Sequence, residues 1–204
     1  SSSINAMCYI RGVPRDYDEW AAGGAQGWDW NSALPYFKRS EHNSRGGNAL
    51  HGDSGPLHVA DLRYTNPLSA AFIQAGQQAG FPHNHDFNGA EQSGVGLYQV
   101  TQKDGARCSS AVAYLQPAKS RPNLEVVTGA LVRRILLANG RATGVAYAKG
   151  GVETQAQADR EVLLSGGAIN SPQLLMLSGI GPADHLTAHG INVAVDAPHV
   201  GQNL

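Results

Sequence analysis

The spacing of apolar positions changes near Asn123. Before it, stretches at helical spacing alternate with polar loops, and after it the spacing turns to two. Asn66–Ala79 is the clearest helix: Leu68, Phe72, Ile73 and Ala75 share a face, Asn66 caps it, Pro67 takes the first turn, and Gly80 with Pro82 ends it. Asp16–Ala22 predicts a short helix with Trp20 inward. Asn31 or Ser32 is the expected cap of a helix through SALPYFKRSE, with Leu34, Phe37 and Tyr36 inward and Pro35 in the first turn. Ser109 or Ser110 caps a further helix carrying Val112, Tyr114 and Leu115. Leu57–Ala60 and Gly96–Gln102 are expected strands, the second reaching a turn at Asp104-Gly105; Ser44–Gly55 reads as a mobile loop.

Beyond Asn123, the strands expected are Leu124–Thr128, Leu131–Ala138, Ala142–Ala148 and Val152–Ala156. Asn139-Gly140 joins the middle two, because both residues accept the positive φ of a type I′ turn. The chain is organised around Glu161–Pro182. Strand Val162–Leu164 turns through Ser165-Gly166-Gly167 into a helix capped by Asn170 or Ser171, with Pro172 in its first turn. Leu174, Leu175 and Leu177 form the helix face, and Gly179 takes the C′ position. A second helix follows Gly181-Pro182, then a strand at Asn192–Val195. Strand, glycine turn and helix N-terminus together bring free backbone N–H groups and a helix dipole toward a dinucleotide. The same pattern also describes a buried βα unit without a ligand.

Length and charge narrow the function classes. The 204 residues suffice for one domain or two, and a net charge of −1 argues against binding nucleic acid or a membrane surface through bulk charge. No apolar run approaches the roughly 20 residues of a membrane span. Cys8 and Cys108, the two cysteines, read as free thiols in a reducing compartment. Ser1 is not preceded by an initiator Met and Val200–Leu204 ends within a turn pattern, so an internal piece of a longer protein is expected.

Three chemistries lack their residues. His83, His85 and Asp86 invite a metal reading, but no separate set of ligands accompanies them, and Asn/Gly turn chemistry accounts for the loop. A serine hydrolase would need a G-x-S-x-G elbow. A nicotinamide dehydrogenase would need G-x-G-x-x-G and an acidic residue about 20 positions on. None of these patterns is present.

GAINSPQLLMLSGIG (Gly167–Gly181) resembles the second signature of the glucose–methanol–choline (GMC) flavoprotein oxidoreductases, and SSSINAMCYIRG (Ser1–Gly12) resembles the tail of their first. RCSSAVAYLQPAKSRPNLEVVTGALVRRI (Arg107–Ile135) and VGQNL (Val200–Leu204) are similar to family segments in the same order. The MCYIRG form is similar to the choline dehydrogenase and bacterial alcohol dehydrogenase branch. The resemblance implies an FAD-dependent oxidation of a primary alcohol, choline-like or aliphatic, to an aldehyde, with hydride passing to flavin N5.

By that resemblance Ser1, Asn5, Ala6 and Cys8 lie along the flavin and its pyrophosphate, and Val132 contacts the adenine end through its backbone. Met7 is larger than the glycine some relatives carry at that position. No catalytic residue is assigned in this stretch: the family's histidine base and its partner follow Leu204, the G-x-G-x-x-G unit precedes Ser1, and none of the eight histidines matches the base.

The fold class expected is α/β (α+β mixed), an FAD-binding domain over residues 1–64 and 106–204 interrupted at 65–105 by part of a substrate domain. FAD is the cofactor expected, and no metal. The partners expected are a small alcohol and an electron acceptor, quinone or oxygen, and no nucleic acid. The place expected is the cytoplasm or the periphery of the inner membrane face. The rivals are a flavin-binding module without catalysis, and a lyase that keeps FAD as scaffold. Alone, the chain is expected to fold poorly or to bind flavin weakly, because missing neighbours leave sheet edges uncovered.

Overall fold

The computed structural model describes residues 2–204. These form two compact units, one ending at Glu125 and one running Val126–Leu204. Both mix helices with short strands.

In the first unit, α1 (Pro14–Ala22) begins with proline in its first turn, and Asp16 Oδ2 accepts the Val13 N–H at 2.8 Å. It packs on α2 (Trp30–Ser40). The residue that α1 buries is Tyr17, whose ring lies 5.4 Å from Trp20 and 5.6 Å from Phe37; Trp20, expected inward, is 54% exposed. Asp29 caps α2 instead of Asn31 or Ser32, accepting from Ser32 N at 3.1 Å and Ser32 Oγ at 2.7 Å. Starting there, the helix places Pro35 in its interior and leaves Tyr36 exposed, while Leu34 and Phe37 are half-buried and Ala33 is buried. The carbonyl that Pro35 deprives of a partner belongs to Asn31, which is exposed to solvent.

Strand β1 (Glu41–Asn43) follows α2 directly and pairs in parallel with β2 (Leu57–Val59). The intervening residues are not the mobile loop expected from their composition. A Cβ on Gly52 would overlap the Lys38 carbonyl and one on Gly55 would overlap the Ser40 backbone, so the loop is packed against the end of α2. Helix α3 (Pro67–Gln78) forms as expected, with Asn66 Oδ1 accepting from Leu68 N at 2.9 Å. It buries no residue, and Leu68 and Phe72 stay exposed.

Gly96–Gln102 is not a continuous strand. It makes isolated bridges, Val100 pairing with both Cys8 and Ala60, before the hairpin β3 (Gln102–Lys103) and β4 (Ala106–Arg107). After it, Ser109 Oγ accepts from Val112 N at 3.3 Å, and a π-turn at Ala111–Leu115 runs into α4 (Gln116–Ala118). Val112 and Tyr114 are exposed and Ala113 is the buried residue.

The second unit is built on an antiparallel meander of β5 (Ala130–Ala138), β6 (Arg141–Lys149) and β7 (Val152–Gln157). Its first turn has Asn139 at φ 51° and Gly140 at φ 75°, the left-handed pair expected of a type I′ hairpin. Ile135, Gly144 and Ala146 are its buried positions. Leu124–Thr128 forms no strand, and neither does Val162–Leu164, which has no ladder partner among the described residues; Leu163 is 81% exposed.

Helix α5 (Gly167–Leu177) starts three to four residues earlier than its expected caps, so Pro172 is interior; the carbonyl it frees belongs to exposed Ala168. Leu174 and Leu175 are half-buried and Leu177 is 50% exposed. Gly179, at φ 85°, takes the C′ position. A short parallel pair, β8 (Ile180–Gly181) with β9 (Val195–Asp196), flanks α6 (Ala183–Ala188), whose Leu186 is fully buried.

Candidate functional site

Of the residues predicted at the cofactor, Asn5, Ala6 and Cys8 share one loop of the first unit, and all three are exposed. Ser1 lies outside the described residues. The loop is held from behind. Thr101 N donates to the Met7 carbonyl at 2.9 Å, Tyr9 N to the Gln99 carbonyl at 2.9 Å, and Cys8 bridges Val100. Arg107, at the end of β4, spans its front half. Nη1 donates to Asn5 Oδ1 at 2.8 Å and to the Ser2 carbonyl at 3.2 Å, and Nη2 donates to the Asn5 carbonyl at 2.7 Å. Asn5 Oδ1 also accepts from Met7 N at 2.9 Å, closing a tight turn in which Met7 sits at φ 65°. A β-carbon is disfavoured by about 1–2 kcal/mol in that region, which is why a glycine suits this position equally.

Behind the loop lies a buried polar cluster that the sequence did not disclose. Arg11 leaves the loop and inserts Nη2 2.6 Å from Glu41 Oε2; the two side chains are 1% and 0% exposed. Glu41 also accepts from Asn43 Nδ2 at 2.9 Å and Gly52 N at 3.0 Å. His51 lies between two carboxylates, Nδ1 2.9 Å from Glu41 Oε1 and Nε2 3.0 Å from Asp86 Oδ2. Asn88 completes the tie, taking the Arg11 N–H at 2.7 Å and donating to the Tyr9 carbonyl at 2.9 Å.

Burial alone would raise the Glu41 carboxyl; the hydrogen bonds from His51, Asn43 and Gly52, with the Arg11 charge, outweigh it and hold Glu41 below the usual carboxylate range. The hydrogen bond to Glu41 raises His51 above its ordinary 6.5 against the opposing pull of burial, with the charges of Glu41 and Asp86 adding to it. Burial raises the Tyr9 phenol. Both ring nitrogens of His51 face carboxylates, so it has no free nitrogen with which to take a proton from a ligand. Asp86, in the loop whose turn chemistry the sequence shows, is one wall of this cluster, and the His83 and His85 rings meet edge to face with centroids 4.0 Å apart. The sequence signals available were an arginine at the end of a small-residue loop and a histidine followed directly by glycine, His51-Gly52.

Val132 lies in the second unit, on β5, 39% exposed beside an irregularity in the β5–β6 register. It lines a cleft of about 510 Å³ with Leu131, Val162, Leu164, Gly166 and Asn170. The unpaired segment 162–165, Gly166 and Asn170 of α5 thus form one wall of this cleft. Ser171 Oγ accepts from Gly166 N at 3.0 Å. At the other end of α5, Ser178 Oγ donates to the Leu174 carbonyl at 2.6 Å and accepts from Ile135 N at 2.8 Å, tying helix to strand.

The model of the GMC oxidoreductase family matches residues 1–204. The oxygen-dependent choline dehydrogenase of Sinorhizobium medicae (strain WSM419) is 52% identical over 204 residues, which is 100% of this chain and 37% of that protein. The mitochondrial choline dehydrogenase of Mus musculus is 50% identical over 100% of this chain and 34% of that protein. An FAD-dependent oxidoreductase from Chaetomium thermophilum, solved in complex with a small fragment, superposes with a TM-score of 0.92 at 34% identity, over 99% of this chain and 37% of that one. The chain therefore spans about a third of the length of these relatives.

Proposed function

The chain belongs to the GMC oxidoreductase family, and from that membership we propose that it is part of an FAD-dependent oxidoreductase that converts a primary alcohol, choline or an aliphatic alcohol, to its aldehyde. One observation carries the reading: an exposed loop of small residues, Asn5, Ala6 and Cys8, spanned by Arg107 and braced from behind by the Gln99–Thr101 segment and the buried Arg11–Glu41 pair. A bulky side chain on that face would keep backbone donors away from a planar ligand. The brace keeps the donors from relaxing toward water, so orientation is set before binding.

The residues fit FAD at both proposed positions. Asn5, Ala6 and Cys8 would lie along the flavin and pyrophosphate, and the backbone at Val132 would meet the adenine end, where the cleft offers the apolar walls Leu131, Val162 and Leu164. FAD, when bound, accepts the hydride. The chain's own residues hold and orient it. None of them is proposed as the base: His51 is committed to Glu41 and Asp86, and general base catalysis, worth roughly 10²–10⁴ in rate, is assigned to the part of the protein after Leu204. Residues 1–64 and 106–204 are proposed as FAD domain and 65–105 as the start of a substrate domain, whose exposed α3 face, Leu68 and Phe72, is free to meet further chain.

The electron acceptor is proposed to be oxygen or a quinone. Among the described residues no helix is long and apolar enough to cross a membrane, and the proposed place is the cytoplasm or the periphery of the inner membrane face. The test is to purify the complete protein, identify its chromophore, and follow flavin bleaching when choline or a primary alcohol is added without oxygen. A flavin that bleaches supports the reading; a protein without flavin, or a flavin that no alcohol bleaches, overturns it.

A further inference from the structure

The end of the candidate cofactor loop is gripped through its main chain by residues some 80 positions further on. Asn88 Oδ1 accepts the Arg11 N–H at 2.7 Å and Asn88 Nδ2 donates to the Tyr9 carbonyl at 2.9 Å, while Gln92 Nε2 donates to the Arg11 carbonyl at 2.7 Å. Asn88 is itself held, its N–H donating to Asp86 Oδ1 at 3.0 Å, and Asp86 Oδ2 lies 3.0 Å from His51 Nε2. From His51 the contacts run through Glu41 back to Arg11. They close a ring, Arg11–Glu41–His51–Asp86–Asn88–Arg11, in which the imidazole is the link between two carboxylates.

A neutral imidazole carries one N–H and cannot donate to both carboxylates. With contacts of 2.9 Å and 3.0 Å on its two sides, the arrangement belongs to the imidazolium form. When that proton leaves, one carboxylate faces a lone pair, and burial decides which contact opens. The Glu41 side chain is 0% exposed, whereas that of Asp86 is 34% exposed and can turn to water. Asn43 cannot take over at Nδ1, because its two amide hydrogens already go to Glu41 and Gln99. The other charged groups around the ring are Arg11, bonded to Glu41 and the Tyr9 phenol, and Lys38, Arg39 and Asp53. These last three line the open cleft beside His51 and make no hydrogen bond to it among the described residues.

We infer that His51 is a proton-dependent latch on the cofactor loop: protonated, it holds Asp86, and through it Asn88, against the Tyr9–Arg11 main chain; neutral, it releases Asp86 and the loop loosens its hold on FAD. His51, Asp86 and Asn88 are positioning residues that act through the loop. The latch rests on the proposed FAD site and deepens it, since it ties that site to residues 65–105, the proposed start of a substrate domain. Glu41 and Asp86 raise His51 above 6.5, so the latch opens on the alkaline side of that value.

The test uses the complete flavoprotein from about pH 6 to about pH 9. It reads the amide-exchange protection of residues 9–11, corrected for the intrinsic pH dependence of exchange, and the rate of FAD release, with thermal unfolding as control. In the wild type, protection is expected to fall and FAD release to rise roughly tenfold with pH, as for one lost charge-assisted hydrogen bond. Two variants should remove the pH dependence in opposite directions. His51→Gln carries no titrating proton and presents its oxygen to one of the carboxylates, so it shows the loosened level throughout. Asp86→Asn offers an NH₂ to the lone pair of neutral His51 and keeps an oxygen for the Asn88 N–H, so it shows no alkaline loosening. Opposite outcomes from two substitutions in one contact are not expected of a merely structural bond.

A flat wild-type profile overturns the latch while the proposed function stands. A pH dependence that survives in His51→Gln belongs to another group and also overturns it, as does FAD release that does not follow the protection. If His51→Gln does not fold, Asp86→Asn decides, and the wild-type alkaline fall persisting in it refutes the latch. A wild-type protein that carries no flavin overturns both the latch and the function beneath it.

Discussion

Arg11 Nη2 lies 2.6 Å from Glu41 Oε2, and neither side chain retains more than 1% of its surface. The pair ties the end of the candidate cofactor loop to the start of β1. Around it Leu50 supplies a carbonyl at 2.6 Å to Arg11 Nη1 while Asn43 and Gly52 donate to Glu41. Two buried ions are tolerated here because nearly every remaining polar atom is paired; Arg11 Nε is the exception.

Removing one member of that pair strands the other. Glu41→Gln or Arg11→Met is expected to destabilise by about 3–5 kcal/mol, with the double substitution costing clearly less than the sum. Denaturant unfolding of both singles and the double checks this. Additive losses would show that the two residues do not interact energetically.

Stability should depend on pH through His51. Its folded-state value is raised above 6.5 by Glu41 first, so its contribution is fully present below pH 6.5 and is lost as pH rises through the raised value. Glu41 has the opposite sign: its value is lowered, so its contribution is fully present above 4.5 and is lost as pH falls through the lowered value. Wild-type melting temperature is therefore expected to fall as pH rises above 6.5, and in His51→Gln that fall should disappear. An equal fall in the variant would place the pH dependence elsewhere.

Gly52→Ala is expected to prevent folding of the first unit, since its Cβ would overlap the Lys38 carbonyl and approach the Glu41 carbonyl at 2.9 Å. Both obstacles are backbone, which cannot swing aside. Soluble Gly52→Ala protein with a wild-type melting temperature would contradict the packing described.

Helices and the late meander were legible because their signals are local. Asn66 and Pro67 start α3, and Asn139-Gly140 turns β5 into β6, from residues adjacent in sequence. The errors have two sources. At α2 and α5 the prolines were assumed to mark first turns, but Asp29 and the Gly166-Gly167 turn start those helices earlier, and exposed carbonyls at Asn31 and Ala168 tolerate interior prolines. At Leu124–Thr128 and Val162–Leu164 the pattern allows strands, but a strand needs a partner, which no local pattern supplies. The Arg11–Glu41–His51–Asp86 cluster was invisible for a similar reason, joining residues up to 77 apart through the Arg11–Asn88 contact. The resemblance located the loop of Asn5; the geometry showed what holds it.

In the second unit, Ser178→Ala should cost about 1–3 kcal/mol, because it leaves the N–H of buried Ile135 without an acceptor and unties α5 from β5. Ser178→Thr, which keeps the hydroxyl, should cost less. Equal losses in the two variants, measured by denaturant unfolding, would mean that size rather than the hydrogen bond matters at this position.

The most direct measurement is an anaerobic titration of the complete purified protein with choline and with a simple primary alcohol, watching the flavin spectrum. The account predicts a bound FAD that one of these alcohols bleaches in a single two-electron step, with the aldehyde formed in equal amount. A protein that binds no FAD, or whose FAD stays oxidised with every alcohol, would contradict it.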